Sequence, residues 1–295
     1  MFNRRQALKT LVTGAAALTV SPEISLAKMA TQETEPTAPI TRKGNIKHSV
    51  CRWCYGAIPL EELCVAAKSM GIVAIDLVGP KDWPTLKKHG LDSSMCNGAE
   101  ISLTEGWNEK KYHAQLIKNY TEMIPQVAQA GYKNLICFSG NRRGMKDEKG
   151  LKTAAEGLKK IMPLAEKNGV VIVMELLNSK VDHKDYMCDK TAWGVELCKR
   201  VGSPNFKLLY DIYHMQIDEG DVIRTFRANK DYIAHYHTGG VPGRHEIDES
   251  QELYYPAIMK AIVETGFKGY VAQEFIPAAT DKLASLRKAI DLCDV

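Results

Sequence analysis

From residue 45 onward, short apolar runs alternate with stretches whose apolar positions recur three or four residues apart. Eight runs read as strands: 47–53, 73–78, 91–96, 134–139, 170–176, 207–211, 232–237 and 269–275. They are rich in Val, Ile, Leu and aromatic residues, as strands covered on both faces must be. Between them, Leu60, Leu63, Cys64 and Ala67 fall at helical spacing, and so do the apolar positions of 151–167, 191–201 and 255–265. Gly71, Gly131, Gly169, Gly202 and Gly266 each precede a strand, where a helix ends in the left-handed conformation that glycine adopts freely. Strand–helix alternation repeated eight times predicts a single (β/α)8 TIM barrel over residues 45–295. A doubly wound sheet would show a GxGxxG or Walker motif after its first strand, and none is present.

The segment before the barrel has a different pattern. Arg4-Arg5 is followed by an apolar stretch from Thr10 to Val20, and Ser25-Leu26-Ala27 supplies the small residues of a cleavage site. This predicts a twin-arginine export signal over residues 1–27, with a periplasmic or secreted mature chain. Residues 28–44, rich in Thr, Glu and Pro, read as a flexible leader.

The signal alters the charge balance. Of the net +4, two charges lie in residues 1–27 (Arg4, Arg5 and Lys9 against Glu23), so the mature chain carries +2. A balance that small does not call for nucleic acid or an anionic membrane as partner. No apolar run outside the N-terminus is long enough to span a bilayer, so no stable membrane anchor is expected after cleavage. The eight cysteines include only one tight pair, Cys51 and Cys54, and no second pair completes a structural zinc site. A twin-arginine substrate folds before export in a reducing compartment, so buried free thiols are expected, with a Cys51–Cys54 disulfide as the alternative.

In a TIM barrel, functional side chains gather at the C-terminal ends of the strands. The last four predicted strands carry strong ligand types there: Glu175, Asp211, His237 and Glu274. Their separations of 36, 26 and 37 residues are each about one strand–helix unit. A carboxylate after a run of apolar strand residues is costly to bury unless paired or bound to a metal. No Lys or Arg lies within these strand ends to form a ring of ion pairs. Three carboxylates and one imidazole suit one divalent ion, Mn²⁺ or Mg²⁺ first, with Co²⁺ or Zn²⁺ acceptable to the same set. His214, just past the sixth strand, is placed to reach a substrate, and so is Arg244 in the glycine-rich turn after the seventh.

Residues 201–216, VGSPNFKLLYDIYHMQ, with Asn178–His183 and VPGRHEID at 241–248, resemble the hydroxypyruvate isomerase family. That family belongs to the xylose-isomerase-like TIM barrels, with the ketose 3-epimerases and endonuclease IV. The resemblance spans residue 45 to the end. It implies metal ligation by Glu175, Asp211, His237 and Glu274, proton transfer by Glu175 and Glu274, and substrate contacts by His214 and Arg244. The implied reaction is isomerisation of an α-hydroxy carbonyl compound through an enediolate, hydroxypyruvate to tartronate semialdehyde. Hydroxypyruvate isomerases tend to have Gln where His237 stands, whereas ketose epimerases have His. A ketose 3-epimerase or keto-sugar lyase is therefore the alternative, and a non-catalytic periplasmic sugar-binding protein is the reading from another class. The expected partner is a small keto acid or keto sugar, and a homo-oligomer stays open.

Overall fold

The computed structural model describes residues 40–295; the predicted export signal and residues 28–39 of the predicted leader lie outside the described residues. Eight parallel strands close in sequence order: β1 (Lys47–Cys51), β2 (Ala74–Val78), β3 (Asp92–Cys96), β4 (Asn134–Cys137), β5 (Val171–Glu175), β6 (Phe206–Asp211), β7 (Ile233–Thr238) and β8 (Tyr270–Gln273). Closure is made by β8 against β1, with Lys47 opposite Tyr270 and Val50 opposite Gln273. Among the described residues ten α-helices surround the strands: α1 (Leu60–Ser69), α2 (Trp83–Lys88), α3 (His113–Gln129), α4 (Asp147–Leu158), α5 (Met162–Asn168), α6 (Thr191–Val201), α7 (Ile212–Asp218), α8 (Val222–Ala228), α9 (Tyr255–Glu264) and α10 (Lys282–Cys293). The barrel predicted from the apolar pattern is the fold observed.

Boundaries differ where backbone chemistry overrides the pattern. Residues 151–167 read as one helix, but Pro163 has no N–H to donate inside a helix, so α4 ends at Leu158 and α5 restarts with Pro163 in its first turn. The first strand stops at Cys51 rather than residue 53, because Trp53–Tyr55 turns into a short 3-10 helix. Attachment to the barrel also begins before residue 45. Arg42 pairs with Asp291 at 2.6 Å and donates to the Met70 carbonyl at 2.7 Å, while Lys43 N–H donates to Asp294.

One continuous apolar core runs between strands and helices, and strand residues such as Val50, Ile75, Ile136, Ile172 and Leu208 are fully buried within it. Inside the barrel the packing is not wholly apolar. Ser49, Asp76, Ser94 and His235 are buried there, a polar layer beneath the strand ends. All eight cysteines are unbonded and buried, as expected for inert core thiols. Among the described residues, no helix is long and apolar enough to cross a membrane.

Candidate metal centre

Register brings the predicted ligands together. Asp211 is the last residue of β6 and lies opposite His237 of β7, while His237 lies opposite Ala272 of β8, two residues before Glu274. Glu175 ends β5 one strand further round. The four side chains are buried, and one ligand atom from each lies within 4.8 Å of the other three. His237 Nδ1 is 2.9 Å from Glu274 Oε2, 3.3 Å from Glu175 Oε1 and 3.9 Å from Asp211 Oδ2. Ligands ~2.1 Å from a common ion stand ~3 Å apart across adjacent coordination positions, so these separations fit a divalent cation. Glu175 Oε1 is buried without a hydrogen bond, which is costly for a carboxylate oxygen that nothing coordinates. The oxygen-rich, thiolate-free set favours Mn²⁺ or Mg²⁺ chemically.

Electrostatics separates the two glutamates. Burial pushes the Glu175 carboxyl above its ordinary pKa, and repulsion from Glu274 adds to this, although His237 and Arg244 oppose it. Burial also raises Glu274, but Arg244 and His237 outweigh it and hold that carboxyl well below the usual range. Asp211 is raised well above its ordinary value, by burial first, with Arg244 opposing. Burial works against a charged His237 ring, yet Glu274, Cys51 and Asp76 overcome it and hold its pKa well above that of a free imidazole.

Arg244 reaches this group from the loop after β7. Its Nη2 lies 3.5 Å from Asp211 Oδ2 and also contacts Glu274 Oε2. The guanidinium sits between two rings, 5.1 Å from the centre of Trp53 and 5.3 Å from that of Tyr213. The loop holds it there by a tight turn: Gly240 N–H donates to the His245 carbonyl, and Arg244 N–H donates to the Gly240 carbonyl. A side chain at Gly240 would strike the Glu246 carbonyl, and Arg244 itself takes φ 58°, an unusual conformation for a non-glycine residue. Counting charges within the strand ends alone therefore missed this cation, which the loop delivers from outside them.

His214, on α7, is fully buried beside the ligands, with Nε2 3.6 Å from Asp211 Oδ2. The Asn178 carboxamide has its oxygen fixed by the N–H groups of Val181 and Asp182, so its nitrogen faces His214 Nδ1 at 2.6 Å. Nδ1 must then accept, and Nε2 carries the proton toward the centre. The sequence-predicted residues are thus brought together. Sequence reasoning missed Trp53, whose indole N–H donates to Glu274 Oε1 at 2.8 Å, and Asn178 and Tyr213 in these roles. It also missed Asp76, whose Oδ1 is 2.9 Å from His237 Nε2. The only signal for Asp76 was one charged residue inside the apolar run Ala74–Val78.

Comparison with known proteins agrees with this fold. A family model described as xylose isomerase-like TIM barrel matches residues 84–293. The chain belongs to that family. Among curated relatives, it is 36% identical over 115 residues to the 2-oxo-tetronate isomerase of Cupriavidus necator, covering 39% of this chain and 44% of the relative. It is 30% identical over 158 residues to the hydroxypyruvate isomerase of Escherichia coli, covering 53% and 60%. A D-psicose 3-epimerase from Ruminiclostridium cellulolyticum is 30% identical over 133 residues, covering 43% and 42%. The chain thus spans about half the length of these curated relatives. A solved structure titled as a family 2 AP endonuclease from Brucella melitensis superposes with a TM-score of 0.72 at 22% identity, covering 82% of this chain and 97% of that one. At that identity the likeness concerns the fold.

Proposed function

We propose that this family member is a metal-dependent isomerase of an α-hydroxy carbonyl compound, acting through an enediolate on hydroxypyruvate or a closely related keto acid. The observation that carries the reading is the pair of buried glutamates, Glu175 and Glu274, flanking Asp211 and His237 with Arg244 beside them. A divalent ion held by the four residues would supply Lewis acidity that makes the C–H beside a carbonyl easier to ionise. Glu274, held ionised by Arg244 and His237, is suited to take that proton. Glu175, at the other end of the row of four strand-end residues, is suited to return one to the neighbouring carbon. Arg244 offers a planar fork to a substrate carboxylate, and His214 Nε2–H offers a donor to an oxygen of the enediolate.

The test is deuterium uptake in D₂O, followed by mass spectrometry, with metal-loaded protein and a panel of keto acids and ketoses. Exchange and isomerisation of hydroxypyruvate or its homologues are expected. Exchange restricted to ketoses would favour the 3-epimerase reading, which the D-psicose 3-epimerase relative supports. No exchange across the panel would reject proton transfer altogether. We also propose that Arg4-Arg5 directs export of the folded chain. The Arg4→Lys, Arg5→Lys double variant is expected to stay in the cytoplasm, and its normal recovery from the periplasm would refute export by this route.

A further inference from the structure

We infer that Asp76 is a positioning residue for the metal centre: its carboxylate fixes the ring of His237 so that Nε2 carries the proton and Nδ1 faces the ion. The inference rests on the metal reading of Glu175, Asp211, His237 and Glu274. Asp76 lies on β2, on the wall of the barrel away from the ligands, and is fully buried. Every group around its two oxygens is a potential donor. Oδ1 faces His237 Nε2 at 2.9 Å and the Cys51 thiol at 3.4 Å. Oδ2 accepts from the Ser94 hydroxyl at 2.5 Å and has His235 Nε2 at 2.8 Å, out of line for a hydrogen bond. The Ser94 hydroxyl is in turn 2.6 Å from Ser49 Oγ, which donates to the Ala74 carbonyl.

An ionised carboxylate only accepts, so a neutral imidazole facing it keeps its proton on Nε2. Nδ1 points at Glu175, Asp211 and Glu274, the last at 2.9 Å, and an ion taking its lone pair there would leave the ring's one proton on Nε2. A histidine that ligates metal through one nitrogen commonly donates from the other to a carboxylate, which sets its tautomer and raises its basicity. A purely structural role explains a buried polar layer. It does not explain why the nearer of the two groups on Nε2, Asp76 at 2.9 Å against Cys51 Sγ at 3.9 Å, is a charged acceptor with no Lys or Arg in contact. Cys51, Asp76 and His237 also form a compact trio of ligand types. Occupation of that trio by an ion would need Nε2 as a ligand and would displace the proton assigned to it, so the two roles exclude each other.

The test uses the full chain, stripped of metal and titrated with Mn²⁺ alone by calorimetry. Wild type is expected to bind one equivalent. Asp76→Asn keeps the size and one acceptor oxygen but removes the charge, and Asp76→Leu removes both. Affinity should fall about 10-fold in the first and about 100-fold in the second, the usual range for losing such a partner. If the leucine variant fails to fold, the asparagine variant carries the test. Mn²⁺ affinity within twofold of wild type in a folded Asp76→Asn protein would overturn the assignment, while leaving the metal centre standing. Absence of binding by wild type would remove the centre and the proposal with it. A second equivalent lost in Asp76→Asn would place an ion in the Cys51 trio and overturn the positioning role. In Zn²⁺-loaded protein with ¹⁵N-labelled histidine, His237 should show a hydrogen-bonded Nε2–H that weakens in Asp76→Asn. An Nδ1–H on His237 in that sample would also contradict it.

Discussion

Strands β1 to β4 end in Cys51, Val78, Cys96 and Cys137, whereas β5 and β6 end on Glu175 and Asp211, and β7 and β8 end beside His237 and Glu274. Both halves have the same pleat, the same covering helices and buried ends. They differ in where they place charge. The second half concentrates three carboxylates at its rim, where a shared cation can offset their desolvation. The first half carries one buried carboxylate, Asp76, a layer lower, and directs it at a histidine of the second half. On the proposed reading one half supplies the ligands and the other holds two of them, Asp76 against His237 and Trp53 against Glu274, although each strand alone looks like an ordinary core strand.

The comparison breaks most sharply if the rim carboxylates are exchanged for amides. Glu175→Gln and Glu274→Gln should each lower turnover ~10²–10⁴-fold while the barrel stays folded and metal is largely retained, the usual loss for a positioned acid or base. Near-wild-type turnover in both would reduce these residues to structural ligands. The first half should respond in the opposite way. Ile136→Ala, on β4 and fully buried, should cost about 2–5 kcal/mol in denaturant unfolding yet leave Mn²⁺ affinity unchanged. A large loss of affinity there would show that the halves are not separable.

The foot of β1 offers a smaller effect, with pH as the lever. Burial pushes the His48 pKa from 6.5 down to about 4, against the pull of Asp294 3.8 Å away. The unfolded chain takes up this proton near pH 6.5 and the folded barrel refuses it. Stability from this group is therefore full above pH 6.5 and falls as pH drops toward 4, by up to about 3 kcal/mol. Unfolding curves of wild type and His48→Gln should diverge across that window, and parallel curves would refute the assignment. Smallest is the change at Trp53, the first-half residue that reaches the rim. It is 45% exposed, and its indole N–H meets Glu274. Trp53→Phe keeps the ring over Arg244 and removes the donor, so catalytic efficiency should fall ~5–10-fold, the worth of about 1 kcal/mol for one hydrogen bond to a charge in a half-open setting. No change would mean that Arg244 and His237 alone orient Glu274.

What the sequence revealed follows the same division. Glu175, Asp211, His237 and Glu274 were legible because each terminates an apolar run, and the barrel rule turns strand ends into neighbours. The glycine stops were legible because Gly71, Gly131, Gly169, Gly202 and Gly266 all take positive φ. Asp76 and Trp53 were not, because they meet His237 and Glu274 across 161 and 221 residues and no local spacing encodes such a contact. The break between α4 and α5 was missed because apolar periodicity continues through Pro163 although the backbone hydrogen bonds cannot.

The most direct test of the central claim is metal stoichiometry. Protein purified without chelator and titrated with Mn²⁺ should bind one equivalent per chain, and the Asp211→Ala, His237→Ala double variant should bind at least ~100-fold more weakly while remaining folded. Binding by that variant as tight as wild type would contradict the account, because the ion would then lie somewhere other than among the ends of β5 to β8.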